Sequence, residues 1–375
     1  LDQAPPIRVP FRFFLTAPLF GMLASLFSLY TGSDDILASR WMPSVLALTH
    51  LLMLGVFSMV MLGALFQMMP VVAGAAVTRE SLISRIVHFL LVIGSLSLAF
   101  GLYQHSALSL TIAITALGGG ISLFIIAAGH ALWHAPRKHD SVRGMQLAIM
   151  VALTITMTLG IVLASAHISN GVTLWRQPLT HVHLLWGSIG WMALLVAVIA
   201  YQVVPMFQMT PEYPAKLRRY WAIALFILLV ISTLVALIQP GFIPLSGIPI
   251  GIVLLVFALV TLQLQRQRKR RLPDITLNFW RLGMIALIAT VVIFIGNIFW
   301  PQAAFERLIG AVFTLGFILS VMNGMLYKIA PFLVWLHLQN RLLATMQLGT
   351  VRIPNMKQII PERLVKRQYQ LHVLA

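Results

Sequence analysis

The sequence contains no cysteine and very little charge. Among its 375 residues only 9% are Asp, Glu, Lys or Arg, whereas 59% are hydrophobic and the mean hydropathy is +0.93. The absence of cysteine excludes disulfide bonds, thiolate-bound metals and covalent c-type haem attachment in this chain. The scarcity of charge excludes a soluble domain of this length, so the composition indicates a membrane protein with several spans.

Long apolar segments make up most of the chain. A helix needs about 20 residues to cross roughly 30 Å of hydrocarbon. We predict an all-α, polytopic bundle of about ten transmembrane helices over residues 1–342, followed by a basic cytoplasmic tail over 343–375. The first segment lacks a small-residue cleavage site and is expected to be a retained span, and no soluble domain is expected. The predicted spans are 11–30, 43–72, 86–104, 108–133, 144–166, 179–206, 219–238, 243–264, 280–300 and 308–336.

The few charges are distributed very unevenly. With an even number of spans both termini share one side, and of the 26 Lys and Arg only Arg40, Arg176 and Arg307 fall on the other side. Such an asymmetry is typical of cytoplasmic loops. We therefore expect an inner-membrane protein of a bacterium with both termini in the cytoplasm. The net charge of +17 is expected to contact anionic lipid rather than nucleic acid. These two sides are called the basic face and the outer face below.

Three of the predicted spans share one pattern. GVFSMVMLGALFQMMPVV, GWMALLVAVIAYQVVPMF and GFILSVMNGMLYKIAPFL begin at Gly55, Gly190 and Gly316, and each glycine precedes a proline by fifteen residues. They are the second, sixth and tenth spans, which predicts a four-helix repeat. Glycine permits the close approach of a neighbouring helix or of a flat ligand, and proline permits a kink or an end of the helix.

Histidines near the outer face are the candidate functional residues. Ionisable groups inside a membrane are costly and usually face the bundle interior. Counted from the repeat glycines at 100° per residue, His50 and His181 lie about 40° apart, and His183 is turned to the opposite face. We therefore expect His50 and His181 to face the same space as metal ligands, with His183 beside them. Their plain structural alternative is an interhelical hydrogen bond.

A haem would suit this arrangement. Neutral imidazoles from facing helices, with Gly55 and Gly190 leaving room for a flat macrocycle, are what a b-type haem in a membrane needs. Arg307 occupies the place in the third copy that His181 has in the second, and an arginine there suits an anionic group such as a haem propionate. Thioethers suit haem iron or Cu(I), so Met53, Met59 and Met61 are further candidates, although methionine more often serves packing.

These features together resemble the haem-copper oxidase catalytic-subunit superfamily. The resemblance rests on FRFF in the first span, on the pattern H-x4-G-x7-G-x6-P from His50 to Pro70, on HVHLLWG from His181, and on the repeat. The nearest likeness is to small divergent relatives such as the NnrS-type membrane haem proteins. It implies a pseudo-threefold bundle with metal sites toward the outer face. His50 would match a low-spin haem ligand, and His181 and His183 would match a copper-binding position.

The sequence also departs from that superfamily. The seventh span, YWAIALFILLVISTLVALI, lacks the paired histidines of the copper site, and the tenth span lacks the histidines that hold both haems. Oxygen reduction at a binuclear centre is therefore not expected. We expect a b-type haem protein that transfers electrons, or that senses or detoxifies a small gas such as nitric oxide. It would need a redox partner subunit or cytochrome. The alternatives are a cofactor-free transporter or scaffold, and copper handling at the outer face.

Overall fold

Ten long helices dominate the structure. The computed structural model describes residues 5–135, 140–169, 176–269, 272, 274–344 and 353–374, and this part of the chain contains no β-strand. All ten predicted spans are present as helices long and apolar enough to cross a membrane, which confirms the all-α polytopic bundle. The helices are α1 Arg8–Ala38, α2 Pro43–Ala73, α3 Glu80–Gln104, α4 Ala107–Trp133, α5 Ser141–Ile168, α6 Arg176–Gln208, α7 Ala215–Ile238, α8 Pro240–Arg266, α9 Ile275–Phe299 and α10 Ala303–Leu343.

Several helices extend beyond the apolar segments into polar turns. Helix α9 begins five residues before its predicted start because Asp274 caps it, accepting hydrogen bonds from the backbone N–H (3.0 Å) and the hydroxyl (2.6 Å) of Thr276. The same carboxylate pairs with Lys328 of α10 at 2.9 Å. Burial alone raises the pKa of Asp274, but the hydrogen bonds from Thr276 and Lys328 outweigh it and hold that pKa below its usual value. This N-cap therefore also joins α9 to α10 at the basic face.

The predicted repeat has a physical counterpart in helix geometry. Each of the three repeat helices contains one π-helical segment of eight residues, with the repeat glycine in fifth place. All three segments start nineteen residues before the repeat proline; they are Leu51–Ser58, Trp186–Ala193 and Val312–Leu319. One further π-helical segment, Leu147–Ala152, lies in α5. A π-helical turn is a rare local widening, so three in identical register show that the copies share backbone geometry as well as sequence.

Two of the repeat helices end shortly after the repeat proline. Helices α2 and α6 each stop three residues after the proline, and the next residue is left-handed, Gly74 at φ 64° and Met209 at φ 55°. Such a residue closes a helix by turning the chain away. Helix α10 instead continues for twelve residues past Pro331. In all three copies the helix therefore runs through the proline, and in the first two it ends at a left-handed residue rather than at the proline.

Part of the predicted basic tail is a docked helix. After α10 the chain forms the short α11, Met356–Ile359, and then α12, Glu362–Leu374. Helix α12 packs on α9 through Tyr369, whose ring centre lies 4.9 Å from that of Phe279. His372 forms a hydrogen bond between its Nε2 and the Ser320 hydroxyl of α10 at 2.7 Å. Burial lowers the pKa of His372, so the docked imidazole is neutral near pH 7.

Candidate functional site

Two imidazole rings meet near the outer ends of α2 and α6. The ring centres of His50 and His183 lie 6.2 Å apart, with 23° between the ring planes. His50 directly precedes the π-helical segment of α2, and His183 lies three residues before that of α6. Both side chains are partly buried. The fold therefore brings together one histidine from each of the first two repeat copies.

The hydrogen bonds of these rings determine which nitrogen remains open. His50 Nδ1 donates to the carbonyl oxygen of Leu46 at 2.8 Å, and His183 Nδ1 donates to that of Thr156 in α5 at 3.0 Å. A carbonyl oxygen can only accept, so both rings carry a proton on Nδ1, and the neutral form of each ring has its lone pair on Nε2. Neither Nε2 has a hydrogen-bond partner within the described residues. Histidines that bind metals usually donate their other ring N–H in this way.

The spacing of the two rings suits a shared metal ion. Two metal–nitrogen bonds of about 2.0 Å, added to the distances from each nitrogen to its ring centre, separate two opposed imidazole centres by about 6 Å. The observed 6.2 Å matches this separation. The described residues contain no group of three or more His, Asp or Glu side chains able to hold one ion. His50 and His183 would be sufficient protein ligands for a haem iron, whereas a structural zinc ion needs four protein ligands.

Two other histidines near the outer face have a different environment. His181 Nε2 lies 3.2 Å from a guanidinium nitrogen of Arg40, and His167 Nε2 lies 2.6 Å from one of Arg176. An arginine only donates, so each of these ring nitrogens is an acceptor whose lone pair is already used. The edge of Trp41 also packs against the His181 ring, with 6.4 Å between the ring centres. His181 therefore serves the packing of the outer end of α6 in this structure.

The expected partnership of His50 with His181 is thus replaced by one with His183. Helices related by rotation about a common axis turn equivalent faces toward that axis. Two neighbouring helices, however, contact each other through opposite sides, or flanks, of those faces. Similar azimuths therefore identify equivalent residues rather than contacting ones. His50 and His183 stand two residues apart in the repeat register, or about 200°, and so lie on different flanks. The uniform count of 100° per residue also fails across the π-helical segments.

Arg307 lies away from the histidine pair. Its guanidinium donates to the carbonyl oxygen of Ala38 at the end of α1, at 3.4 Å. The adjacent Glu306 forms an ion pair with Arg40, whose Nε lies 3.2 Å from the carboxylate oxygen. Arg40 therefore connects Glu306 of α10 to His181 of α6. Sequence analysis did not single out Arg40 as a functional residue, although it is one of the three basic residues on the outer face.

The repeat glycines are contact points between helices. A Cβ atom added to Gly55 would lie 2.1 Å from the Phe20 ring of α1, and one added to Gly190 would lie 3.0 Å from the Ala152 Cβ of α5. These spaces are filled by protein, so Gly55 and Gly190 do not form the expected cradle for a macrocycle. Of the two predicted roles of glycine, the close approach of a neighbouring helix is the one present.

A glycine that sequence analysis missed lies beside the candidate site. A Cβ atom on Gly160 of α5 would lie 3.2 Å from the His183 ring, and Gly160 therefore lets this ring reach the Thr156 carbonyl on the same helix. Neither residue belongs to the repeat motif. The available signal was weak, because it consisted of one glycine and one threonine near the outer end of an apolar span.

The comparisons with known proteins add no assignment. No protein-family model matches the sequence, and no curated protein is significantly similar to it. The resemblance to haem-copper oxidase subunits therefore stays a prediction from the motifs, and the geometry of His50 and His183 is the observation from which a function can be argued.

Proposed function

We propose that this protein binds a b-type haem between His50 and His183 and that it transfers electrons within a bacterial inner membrane. The observation that carries the proposal is the pair of imidazoles from two helices, each fixed through Nδ1 and without a partner for Nε2 among the described residues. The distribution of Lys and Arg supports an orientation with the termini in the cytoplasm and this pair nearer the outer surface. A redox partner subunit or cytochrome would exchange electrons with it.

The residues around the pair have separable tasks in this proposal. The carbonyl oxygens of Leu46 and Thr156 hold both rings in the tautomer that presents Nε2. Gly160 lets the His183 ring lie against α5. A haem iron with two histidine ligands supplies one-electron chemistry, and it has no open position for a gas. Electron transfer is therefore the leading function, and gas binding would require one imidazole to move away.

Copper handling is the second candidate, because imidazole nitrogen also binds copper. Two histidines without a third protein ligand make this the weaker candidate among the described residues. Under the cofactor-free hypothesis, the protein is a transporter or scaffold that uses the same two histidines only for packing. Among the described residues, packing alone would leave both Nε2 atoms without a protein partner, which makes this hypothesis the weaker one.

An absorption spectrum of the protein purified from haem-replete cells tests the proposal. We expect a Soret band, its loss in His50→Gly, and its recovery when imidazole is added to that variant. Imidazole replaces the missing ligand but not a missing fold, so recovery separates ligation from structural damage. A wild-type protein without a Soret band would refute haem binding, and copper in that sample by metal analysis would favour the second candidate.

Carbon monoxide separates the two possible uses of a bound haem. A reduced iron that keeps both imidazoles does not bind carbon monoxide, so we expect an unchanged spectrum after the gas is added to the reduced protein. A shifted Soret band would instead show an open iron position and would replace electron transfer with gas binding or sensing.

A further inference from the structure

A separate cavity lies between the three repeat helices. It has a volume of about 80 Å³ and is lined by α2, α6 and α10, with Trp280 of α9 at its edge. On α2 its first lining residue, Val60, follows His50 by ten residues, or about 15 Å along a helix. The cavity therefore lies toward the basic face and is distinct from the histidine pair.

The lining follows the repeat register. The same four positions, at ten, nine, six and two residues before the repeat proline, face the cavity from all three helices. On α2 they are Val60, Met61, Ala64 and Met68; on α6 they are Leu195, Val196, Ile199 and Val203; on α10 they are Val321, Met322, Met325 and Ile329. The three copies therefore surround one axis, and the cavity lies on it.

The chemistry and the size of the cavity limit its occupant. All of the register positions carry aliphatic or methionine side chains, so a water molecule would find no hydrogen-bond partner there. An engineered cavity of about 150 Å³ with an apolar lining stays dry and binds benzene or xenon. A cavity of about half that volume suits a diatomic molecule or a single xenon atom.

We propose that this axial cavity binds small uncharged gases, of the class of oxygen and nitric oxide, dissolved in the membrane. Such molecules partition into hydrocarbon and need no polar contact, which the cavity does not offer. Four methionines in the lining also raise Cu(I) as an occupant, but no anionic group there would compensate a buried cation. The proposal stands on the cavity alone and does not depend on haem binding.

Crystals of the full-length protein pressurised with xenon test the proposal. We expect one xenon atom between α2, α6 and α10 in the wild-type protein and its loss in Ala64→Phe, because a phenyl ring at that position fills the cavity. Ile199→Phe fills the same space from α6 and replaces the first variant if that one does not fold. The matched control is Val71→Phe, which enlarges an exposed residue on α2 and should keep the xenon.

Three results would overturn this inference: a wild-type cavity without xenon, ordered water or an alkyl chain in its place, and xenon that persists in both filled variants. Soaking with silver ion, as a probe for Cu(I), gives a further contradicting result if the metal binds the methionines. The absorption spectrum decides haem binding independently, so failure of either proposal leaves the other intact.

Discussion

Two histidines on one helix, two residues apart, have opposite environments. His183 directs Nδ1 to the Thr156 carbonyl, its Nε2 has no partner among the described residues, and its ring centre lies 6.2 Å from that of His50. His181 presents Nε2 to Arg40, which is itself paired with Glu306. Both are partly buried near the outer end of α6, so burial alone does not distinguish them. The two histidines differ in the hydrogen bonds that their ring nitrogens form.

This difference teaches what a polar group inside a membrane protein can be used for. A histidine whose acceptor nitrogen is bonded to arginine stabilises the contact between helices, and metal binding there would require breaking that bond. A histidine fixed only through its donor nitrogen keeps a ligand atom available. Both His50 and His183 are fixed through the donor nitrogen alone.

The largest expected effect comes from replacing His183 and His181, one at a time, by alanine. His183→Ala should abolish the Soret band, because it removes one of two ligands, whereas His181→Ala should keep it. Haem content per polypeptide, measured in matched preparations, checks both. Equal loss in the two variants would mean that the outer ends of α2 and α6 act as one structural unit and that His181 and His183 do not differ in function.

Gly55 tests whether the residues near His50 serve packing or a ligand. Gly55→Ala should destabilise the bundle by about 1–3 kcal/mol, since the methyl group would overlap the Phe20 ring. Thermal unfolding in detergent measures this loss. In a Phe20→Ala background, which makes room for the methyl group, the same Gly55→Ala change should cost less, although Phe20→Ala is itself destabilising. The control is Gly296→Ala in α9, where no atom lies within 4 Å of the added Cβ and little change is expected.

Arg40 tests the packing side of the comparison. Arg40→Met should lower the stability by about 1 kcal/mol or less, because its ion pair with Glu306 is partly exposed and therefore screened. The Soret band should be unaffected. A double-mutant cycle with Glu306→Gln isolates the pair. A loss of haem in Arg40→Met would place Arg40, and with it His181, among the residues that support the cofactor.

His372 is expected to show the smallest effect, and it depends on pH. Burial lowers its pKa in the docked α12, so the undocked tail binds more protons once the pH falls below about 6.5. Docking of α12 should therefore be strongest above that pH and weaken as the pH falls toward the lowered pKa. Hydrogen exchange of α12 at pH 7.5 and pH 5 measures this. His372→Gln should remove most of the pH dependence, and a pH response that survives in this variant would assign it to another group.

The sequence was sufficient for the bundle and for its repeat. Hydropathy located all ten spans, and the spacing of Gly55 and its two counterparts from their prolines identified the helices that share a π-helical segment. Both signals are local in sequence. They can therefore be recognised without knowing which helices contact each other.

The pairing of His50 with His183 could not be predicted from these local signals. Which histidine faces His50 depends on the flank through which α2 and α6 meet, and on the Thr156 carbonyl and Gly160 of a third helix. The π-helical turns, which change the angle per residue, are not visible as a composition signal either. Contacts between distant segments decide these features, so the periodicity of one helix does not predict them.

The most direct test of the central claim is a structure of the protein purified from haem-replete cells. We predict a haem iron between the two helices, within about 2.0–2.1 Å of Nε2 of both His50 and His183, the usual length of a metal–imidazole bond. His181 should keep its contact with Arg40. Iron bound elsewhere, or a haem-free protein in which both Nε2 atoms contact protein or water, would contradict the account.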